Sequence, residues 1–274
     1  MGRSGRCRRV LSVVAATATA TILWSSAAPA AATTTLACGA TISVDTRLGN
    51  DLRNCPGVGI VIGVDGVDLD LGGHTVDGDG VGDAEGIQVD GHRGTSVRNG
   101  TVRDFVEGVA LLGVAEARVS DLVLSDHRHV GVFVSDSRGV TVEGTVSRRI
   151  ASSGIFVTRS HDVAVVRNVV TRSGSGIGMR VSQRVRIAGN TVSDVDCGGI
   201  VFLDGGTDSV IERNHLSGRN GCDGITLSDG SDRNVVRGNV VAGAADDHRI
   251  VAVAVAATTE RTRRHRPDRP TTPP

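Results

Sequence analysis

Two aspartates, Asp204 and Asp229, lie at equivalent positions of a repeated four-residue phrase, because each comes five residues after the phrase glycine. Stacked strands would place them about 5 Å apart, and glycoside hydrolysis uses two carboxyl groups at such a separation. Asp136 shares their column, and Arg180 is a nearby cation that could neutralise an acidic sugar. Each of the pair also precedes a glycine, so a turn explains them equally well. The sequence leaves open whether the protein is an enzyme; if it is, we expect a polysaccharide hydrolase, lyase or epimerase.

Two phenylalanines, Phe133 and Phe156, occupy the outward position of neighbouring repeats, with Leu112 and Val201 beside them. An exposed apolar stripe of this kind marks a contact surface, and the flat face of an aromatic ring suits a sugar ring. These four residues are therefore the predicted substrate-binding residues. The alternative is that a loop or the N-terminal segment covers them.

Metal-binding patterns are weak in this sequence. His127 and His129 are two residues apart, as copper or zinc ligands can be, but they lie in a predicted turn without an evident third ligand. Four carboxylates in a glycine-rich loop could hold calcium, although their spacing differs from an EF-hand: Asp77, Asp79, Asp83 and Glu85. We predict no cofactor and no metal site, with calcium at this loop as the open alternative.

The elements that must position these residues are repeats of 22 to 25 residues. A phrase of glycine, aliphatic, mixed and aliphatic residues starts each repeat, and period-two alternation indicates a short strand with one buried face. The seven phrases begin at Gly86, Gly108, Gly131, Gly154, Gly176, Gly199 and Gly224. Repeats of this length with three short strands, three turns and no helical segment predict an all-β fold, a right-handed parallel β-helix.

One turn of each repeat shows a slot filled only by residues that tolerate a left-handed backbone. Its occupants are Gly100, Asp121, Gly144, Asn168, Asn190, Asn214 and Asn239. We expect the asparagines to stack as a ladder that satisfies turn amides. A buried aliphatic residue should follow in the third strand, at Val102, Val123, Val146, Val170, Val192, Leu216 and Val241.

The charge of the chain is unevenly distributed. The 274 residues carry 30 basic and 30 acidic side chains, with no Lys and no Tyr. Setting aside the arginines of the leader and the charged residues of the tail leaves 21 basic and 28 acidic residues, so the body is near −7. This charge disfavours nucleic acid as a partner. The predicted partner is a polysaccharide or cell-surface glycan, and the protein is expected to be a monomer.

The two ends differ from the repeats. Residues 1–32 are predicted to be a secretory signal peptide, with a basic start, an apolar run too short for a transmembrane span, and small residues at the cleavage site. We then expect an N-terminal cap segment at 33–58 and the β-helix at 59–256. The Arg/Pro/Thr-rich segment 257–274 is predicted to be a disordered tail. The predicted location is outside the cell or in the cell wall.

Four cysteines remain once the leader is removed, and an even number in an exported protein indicates disulfides. Cys197 and Cys222 each lie two residues before a phrase glycine, so they share a slot on adjacent repeats. Strand spacing fits the Cα separation of a disulfide. Cys38 then pairs with Cys55 by elimination.

The segment from Cys38 to Gly57, followed by Leu69-Asp70-Leu71-Gly72-Gly73-His74, resembles the start of exported bacterial right-handed β-helix repeat proteins of the pectin-lyase-like superfamily. That superfamily includes NosD-type accessory proteins and alginate epimerases, so the resemblance implies the fold and leaves the activity open. We predict that the protein binds, and processes if it is an enzyme, a polysaccharide on the outer face of one strand stack. The alternative is a structural or accessory role as a surface spacer, adhesin or NosD-like periplasmic factor.

Overall fold

The computed structural model describes residues 32–218, 224–228, 230–242, 250–252, 258–260 and 263–264. The described residues contain strands and no helix. In chain order the strands are β1 (Thr33–Thr34), β2 (Ala40–Ile42), β3 (Thr46–Leu48), β4 (Leu52–Cys55), β5 (Ile60–Ile62), β6 (Asp68–Asp70), β7 (Thr75–Gly78), β8 (Glu85–Asp90), β9 (Ser96–Arg103), β10 (Glu107–Leu112), β11 (Arg118–Ser125), β12 (Val130–Ser135), β13 (Thr141–Glu143), β14 (Val146–Thr158), β15 (Ala164–Val166), β16 (Val169–Arg180), β17 (Arg186–Ala188), β18 (Thr191–Val195), β19 (Ile200–Leu203), β20 (Val210–Glu212), β21 (His215–Gly218), β22 (Ile225–Leu227), β23 (Val235–Arg237), β24 (Val240–Ala242), β25 (Ile250–Ala252), β26 (Thr258–Glu260) and β27 (Arg263–Arg264).

Every pairing among these strands is parallel and joins one turn of the chain to the next, which makes the protein a right-handed parallel β-helix of about nine turns. We call one turn a rung. The first stack contains β2, β5, β8, β10, β12, the C-terminal parts of β14 and β16, β19, β22 and β25. The second contains β1, β3, β6, the N-terminal parts of β9 and β11, β13, β15, β17, β20, β23 and β26. The third contains the remaining strands.

The core between the stacks is a column of Val, Ile and Leu side chains with few aromatics. In the central phrase, Ile155 and Val157 are buried and pair in register with Val132 and Val134 of the rung before. The phrase glycine has a steric cause, because a Cβ at Gly131 would lie 2.4 Å from the carbonyl oxygen of Gly154. The repeat glycines therefore permit the close approach of neighbouring rungs at one corner.

The asparagine ladder is confirmed, and its geometry differs from the prediction by one position. Asn168 donates its side-chain amide to Val142 O at 3.0 Å and to Asn190 Oδ1 at 3.0 Å, and its backbone N–H also donates to Asn190 Oδ1. The left-handed residue is the one before each asparagine, as at Arg167 (φ 56°) and Gly189 (φ 65°). The asparagines are buried because their side chains replace a backbone partner inside the turn.

The same one-residue offset corrects two predicted core positions. In the rungs where Asp121 and Gly144 were assigned to the slot, Leu124 and Ser147 are buried in the third stack in place of Val123 and Val146. A shift of one residue along a strand exchanges its two faces. Ser147 is tolerated in the core because its hydroxyl donates to Gly154 O at 3.2 Å.

The structure describes parts of both ends of the chain. Cys38 and Cys55 form a disulfide in the cap segment. The predicted signal peptide lies outside the described residues apart from Ala32. Strands β26 and β27 pair with β23 and β24, so at residues 258–260 and 263–264 the backbone continues the stacks. The rest of segment 257–274 lies outside the described residues, and its disorder stays a prediction. The open end of a solenoid offers unpaired backbone groups, and these two short strands satisfy some of them.

Candidate functional site

The outer face of the first stack carries the predicted aromatic pair. Phe133 and Phe156 are Cα partners on adjacent rungs. Their rings are stacked, with centroids 6.3 Å apart and planes 9° from parallel. Both side chains are partly exposed. We call these two residues the aromatic platform.

Of the two predicted neighbours of the platform, Val201 lies in the same column and Leu112 lies in a different one. Ala110 and Gly178 are the outward residues on either side, and Val201 follows on the next rung. A Cβ at Gly178 would lie 2.5 Å from Cδ2 of Phe156, so the Phe156 ring lies directly over this glycine. Leu112 and Val201 are partly buried. Leu112 is the fourth residue after its phrase glycine, in what we call the second outward column, and it lies one rung before Ser135.

Along one edge of the platform, charged groups are neutralised in pairs. Arg159 makes two bonds of 2.7 Å to the carboxylate of Asp136 and a third, of 2.8 Å, to Ser135 Oγ. These hydrogen bonds lower the pKa of Asp136 to about 2, chiefly through Arg159. Ser135 and Thr158, each the fourth residue after its phrase glycine, are buried beside this network. Asp136 is thus an ionised partner of Arg159, and a general acid would need a raised pKa.

The other described catalytic candidates are also held in an ion pair, and they lie far from Asp136. Arg180 donates from Nε to Asp204 at 2.9 Å, so both are held in an ion pair. Asp204 has a φ of 50°, which is the left-handed turn geometry that the sequence allowed as an explanation. Asp136 lies three rungs from Asp204, about 14 Å by strand spacing, and this exceeds the separation of a glycosidase pair. Asp229 lies outside the described residues, so its pairing with Asp204 stays a prediction.

A second group of polar residues adjoins the platform. Two of its members, Glu85 and His129, were considered from the sequence only as metal ligands, and Glu107 was not singled out. Glu85 and Glu107 are Cα partners on adjacent rungs, each directly before a phrase glycine. The Glu107 side chain is 13% exposed, and its Oε1 lies 3.1 Å from Nδ1 of His129. The His129 ring lies 6.5 Å from that of Phe133. Burial raises the pKa of the Glu107 carboxyl, and the bond with His129 opposes that rise. The signal was available in the repeated Glu-Gly dipeptide.

The two histidines considered as metal ligands have separate roles. His127 is buried, with Nε2 donating to Val102 O at 3.1 Å and Nδ1 accepting from Phe105 N–H at 3.4 Å. Burial lowers its pKa from 6.5 to about 4. The His127 ring therefore lies inside the fold, where it fills the space above a phrase glycine: a Cβ at Gly108 would lie 2.6 Å from Nε2.

The described carboxylates of the acidic loop contact different neighbours and do not gather around one point. Asp77 pairs with Arg103 at 2.8 Å, and Asp79 accepts the backbone N–H groups of Val81 and Gly82. These two backbone bonds lower the pKa of Asp79. Asp83 is 96% exposed. The carboxylates satisfy different neighbours, and we build no calcium proposal on them.

A polar groove of about 270 Å³ lies on the outer face of the third stack. Its charges are largely balanced within the fold, because Arg53, Arg103 and Arg149 each pair with an aspartate. Arg148 also lines the groove, and the pKa of Asp126 is lowered chiefly by its hydrogen bond with Arg149 and also by the charge of Arg148. The lining residues are Asp51, Arg53, Thr75, Asp77, Thr101, Arg103, Ser125, Asp126, Arg148 and Arg149.

Of the two cysteines in the second predicted disulfide, only Cys197 lies among the described residues. Cys197 is exposed at the rung corner where the prediction placed it, and Cys222 lies outside the described residues. The Cys197–Cys222 pairing therefore stays a prediction.

The fold and this outer face define a right-handed parallel β-helix protein with an aromatic surface. Residues 72–254 match the family described as "Periplasmic copper-binding protein (NosD)", and the chain belongs to that family. The similarity predicted from the sequence is thereby confirmed. A comparison with the curated proteins gives no match.

Three solved structures with different names are similar to this chain in fold. A mutant of the periplasmic alginate epimerase AlgG has a TM-score of 0.60 at 16% identity, covering 73% of this chain and 55% of its own. An alginate lyase from Paenibacillus sp. str. FPU-7 has a TM-score of 0.55 at 10% identity, covering 84% and 94%. The Dettilon tailspike protein gp208 has a TM-score of 0.53 at 14% identity, covering 76% and 54%. This chain thus spans about half of the tailspike and AlgG, and at these identities the likeness shows the fold alone.

The family description names copper, and the described residues do not fit a copper site. Among them, no three His, Cys, Asp or Glu side chains come together as a metal would require. His127 has both ring nitrogens occupied, and Met179, a soft sulfur ligand, is fully buried in the core. We derive no step through copper.

Proposed function

We propose that the protein binds a polysaccharide through the aromatic platform on the outer face of the first stack. One observation carries the proposal: Phe133 and Phe156 are stacked and partly exposed on adjacent rungs. A solvated strand has no need of two aromatic rings there, because exposing them forgoes the free energy of burial, about 25 cal/mol per Å². Flat rings in a row can contact successive sugar units of an extended chain.

The comparisons support a glycan as ligand at the level of fold. AlgG and the Paenibacillus enzyme are named for alginate, and both are β-helix proteins with TM-scores above 0.5. Processing has weaker support, because Asp136, Arg180 and Asp204 are already committed to ion pairs. We therefore propose binding, and leave hydrolase, lyase and epimerase activity as outcomes of an assay on polysaccharides.

An accessory role is the second candidate, and membership in the NosD family favours it. In that role the platform would contact a protein partner, and the β-helix would act as a rigid support. The family description places its members in the periplasm. A disulfide at Cys38–Cys55 also fits an oxidising compartment. The described part of the chain has no helix of the length and hydropathy that a membrane crossing needs. We propose that the protein is exported by the leader predicted at 1–32.

Retention of the full chain on a glycan array tests the binding proposal. We expect the parent to be retained on at least one polysaccharide, and the variant F133A/F156A to lose that retention. The variant F133L/F156L keeps apolar bulk but removes the rings, and it should lose retention as well. Val169, 38% exposed in the third stack, provides the matched control V169A. Retention of F133A/F156A equal to that of V169A would overturn the proposal.

A further inference from the structure

We infer that the aromatic platform selects uncharged glycans over polyuronates, because carboxylates of the protein line one of its edges. This inference rests on the proposed function and names the class of its ligand. The acidic rim, as we call it, consists of Glu85 and Glu107. Their register places them on successive rungs, immediately before the rungs of Phe133 and Phe156.

The position of the rim follows from the way each rung turns its corner. The bridge pairs skip the phrase glycine, so that Glu107 pairs with Glu85 and Val109 with Ile87. The residue before the glycine therefore lies on the same outer face as the second residue after it. Ser153 shows this directly, because its Oγ would lie 3.5 Å from a Cβ at Gly178, the residue beneath Phe156. Glu107 has the same place two rungs earlier.

The rim is tied to the platform through His129. Its Nδ1 lies 3.1 Å from Glu107 Oε1, and its ring lies 6.5 Å from that of Phe133. A planar histidine and a carboxylate beside an aromatic face can donate to and accept from the hydroxyl groups of a stacked sugar. These groups suit the alternating donors and acceptors of an uncharged sugar edge. A sugar carboxylate would meet like charge at the same edge.

Nearby cations do not cancel the rim. On the opposite edge of the platform, Arg159 is neutralised by Asp136 and Arg180 by Asp204. Asp90, exposed on the rung of Gln88, adds a further negative charge in the second outward column. The charged groups that act on the Glu107 carboxyl are His129 and Glu85. The face toward the N-terminal rungs is therefore acidic.

The test compares retention on neutral polysaccharides and on polyuronates, with polygalacturonate and its fully methyl-esterified form as a pair that shares one sugar backbone and differs in charge and in the ester methyl group. In 0.15 M NaCl we expect the parent to retain neutral chains better than polyuronates by roughly tenfold, which lies between the repulsion of a like-charge contact in bulk water and that of one near a protein surface. The variant E85Q/E107Q should reduce this ratio toward one. High salt should reduce the ratio for the parent too, since the Debye length falls to about 3 Å at 1 M.

The control variant is E116Q/D232N, which removes two exposed carboxylates from outside the acidic rim and should leave the ratio unchanged. Equal or better retention of polyuronates by the parent overturns the inference while the proposed function stands. An unchanged ratio in E85Q/E107Q, with neutral glycans still retained, overturns it in the same way. If the parent is retained on no glycan, the proposed function itself is overturned. Circular dichroism of each variant confirms that the β-helix is folded.

Discussion

The buried imidazole of His127 makes the β-helix sensitive to mild acid. This side chain is 1% exposed and closes the space between Gly108 and the third strand of the preceding rung. Both ring nitrogens have backbone partners, Val102 O and Phe105 N–H. A second proton on the ring would have to displace the Phe105 contact inside an apolar core. Folding therefore favours the neutral form.

The magnitude follows from the change in pKa. Burial moves the pKa of His127 from 6.5 to about 4, and each pKa unit corresponds to about 1.4 kcal/mol. Between these values the unfolded chain binds more protons than the folded one, so stability falls as the pH falls. The contribution of His127 is fully present above pH 6.5. About 3 kcal/mol of it should be lost by pH 4.

Denaturant unfolding at pH 7, 6, 5 and 4 measures this loss. We compare the parent with H127Q, which keeps polar groups at the site but does not titrate in this range. H127Q should be less stable at pH 7, and the difference from the parent should shrink by about 3 kcal/mol as the pH falls to 4. The exposed His215 provides the control H215Q, which should follow the parent. A constant difference between parent and H127Q would refute the reasoning.

Three further variants test how the fold is held together. N190A removes two bonds that the Asn190 side chain donates and two that it accepts inside the ladder, and should lower the free energy of unfolding by about 2 to 4 kcal/mol, measured by urea titration. G176A places a Cβ 2.2 Å from Gly199 O and should cost at least about 2 kcal/mol; a thermal midpoint equal to that of the parent would contradict the steric account. C38S/C55S opens a disulfide of sequence separation 17 and should cost about 3 kcal/mol, so resistance to reducing agent would contradict it.

The sequence predicted the fold well because each rung repeats the same physical requirement. Stacking demands a small residue at the corner, as at Gly154, and aliphatic residues at the two inward positions that follow. The prediction was less accurate where one rung departs from the pattern. Ser147 takes a core position that the repeat reserves for an aliphatic residue, because a local carbonyl can accept its hydrogen bond. A polar residue in the core is invisible to a hydrophobic pattern.

The candidate site was predicted in part. The column containing Phe133 and Phe156 could be read from the repeat, since outward residues recur at a fixed distance from the glycine. The ion pair of Asp136 with Arg159 could not, because it depends on side-chain conformations across rungs. The acidic rim was missed because the residue before the glycine was not read as an outward column. The bridge pattern that places Glu107 on this face is a property of the corner backbone.

The phenylalanine resonances give the most direct test of glycan binding at the platform. The chain contains four Phe residues, of which two form the platform and two, Phe105 and Phe202, are buried in the core. In the full chain labelled at Phe, titration with a polysaccharide retained on the array should shift the ring signals of Phe133 and Phe156. The signals of Phe105 and Phe202 should stay in place. Unchanged platform signals at a concentration that saturates binding would contradict the account.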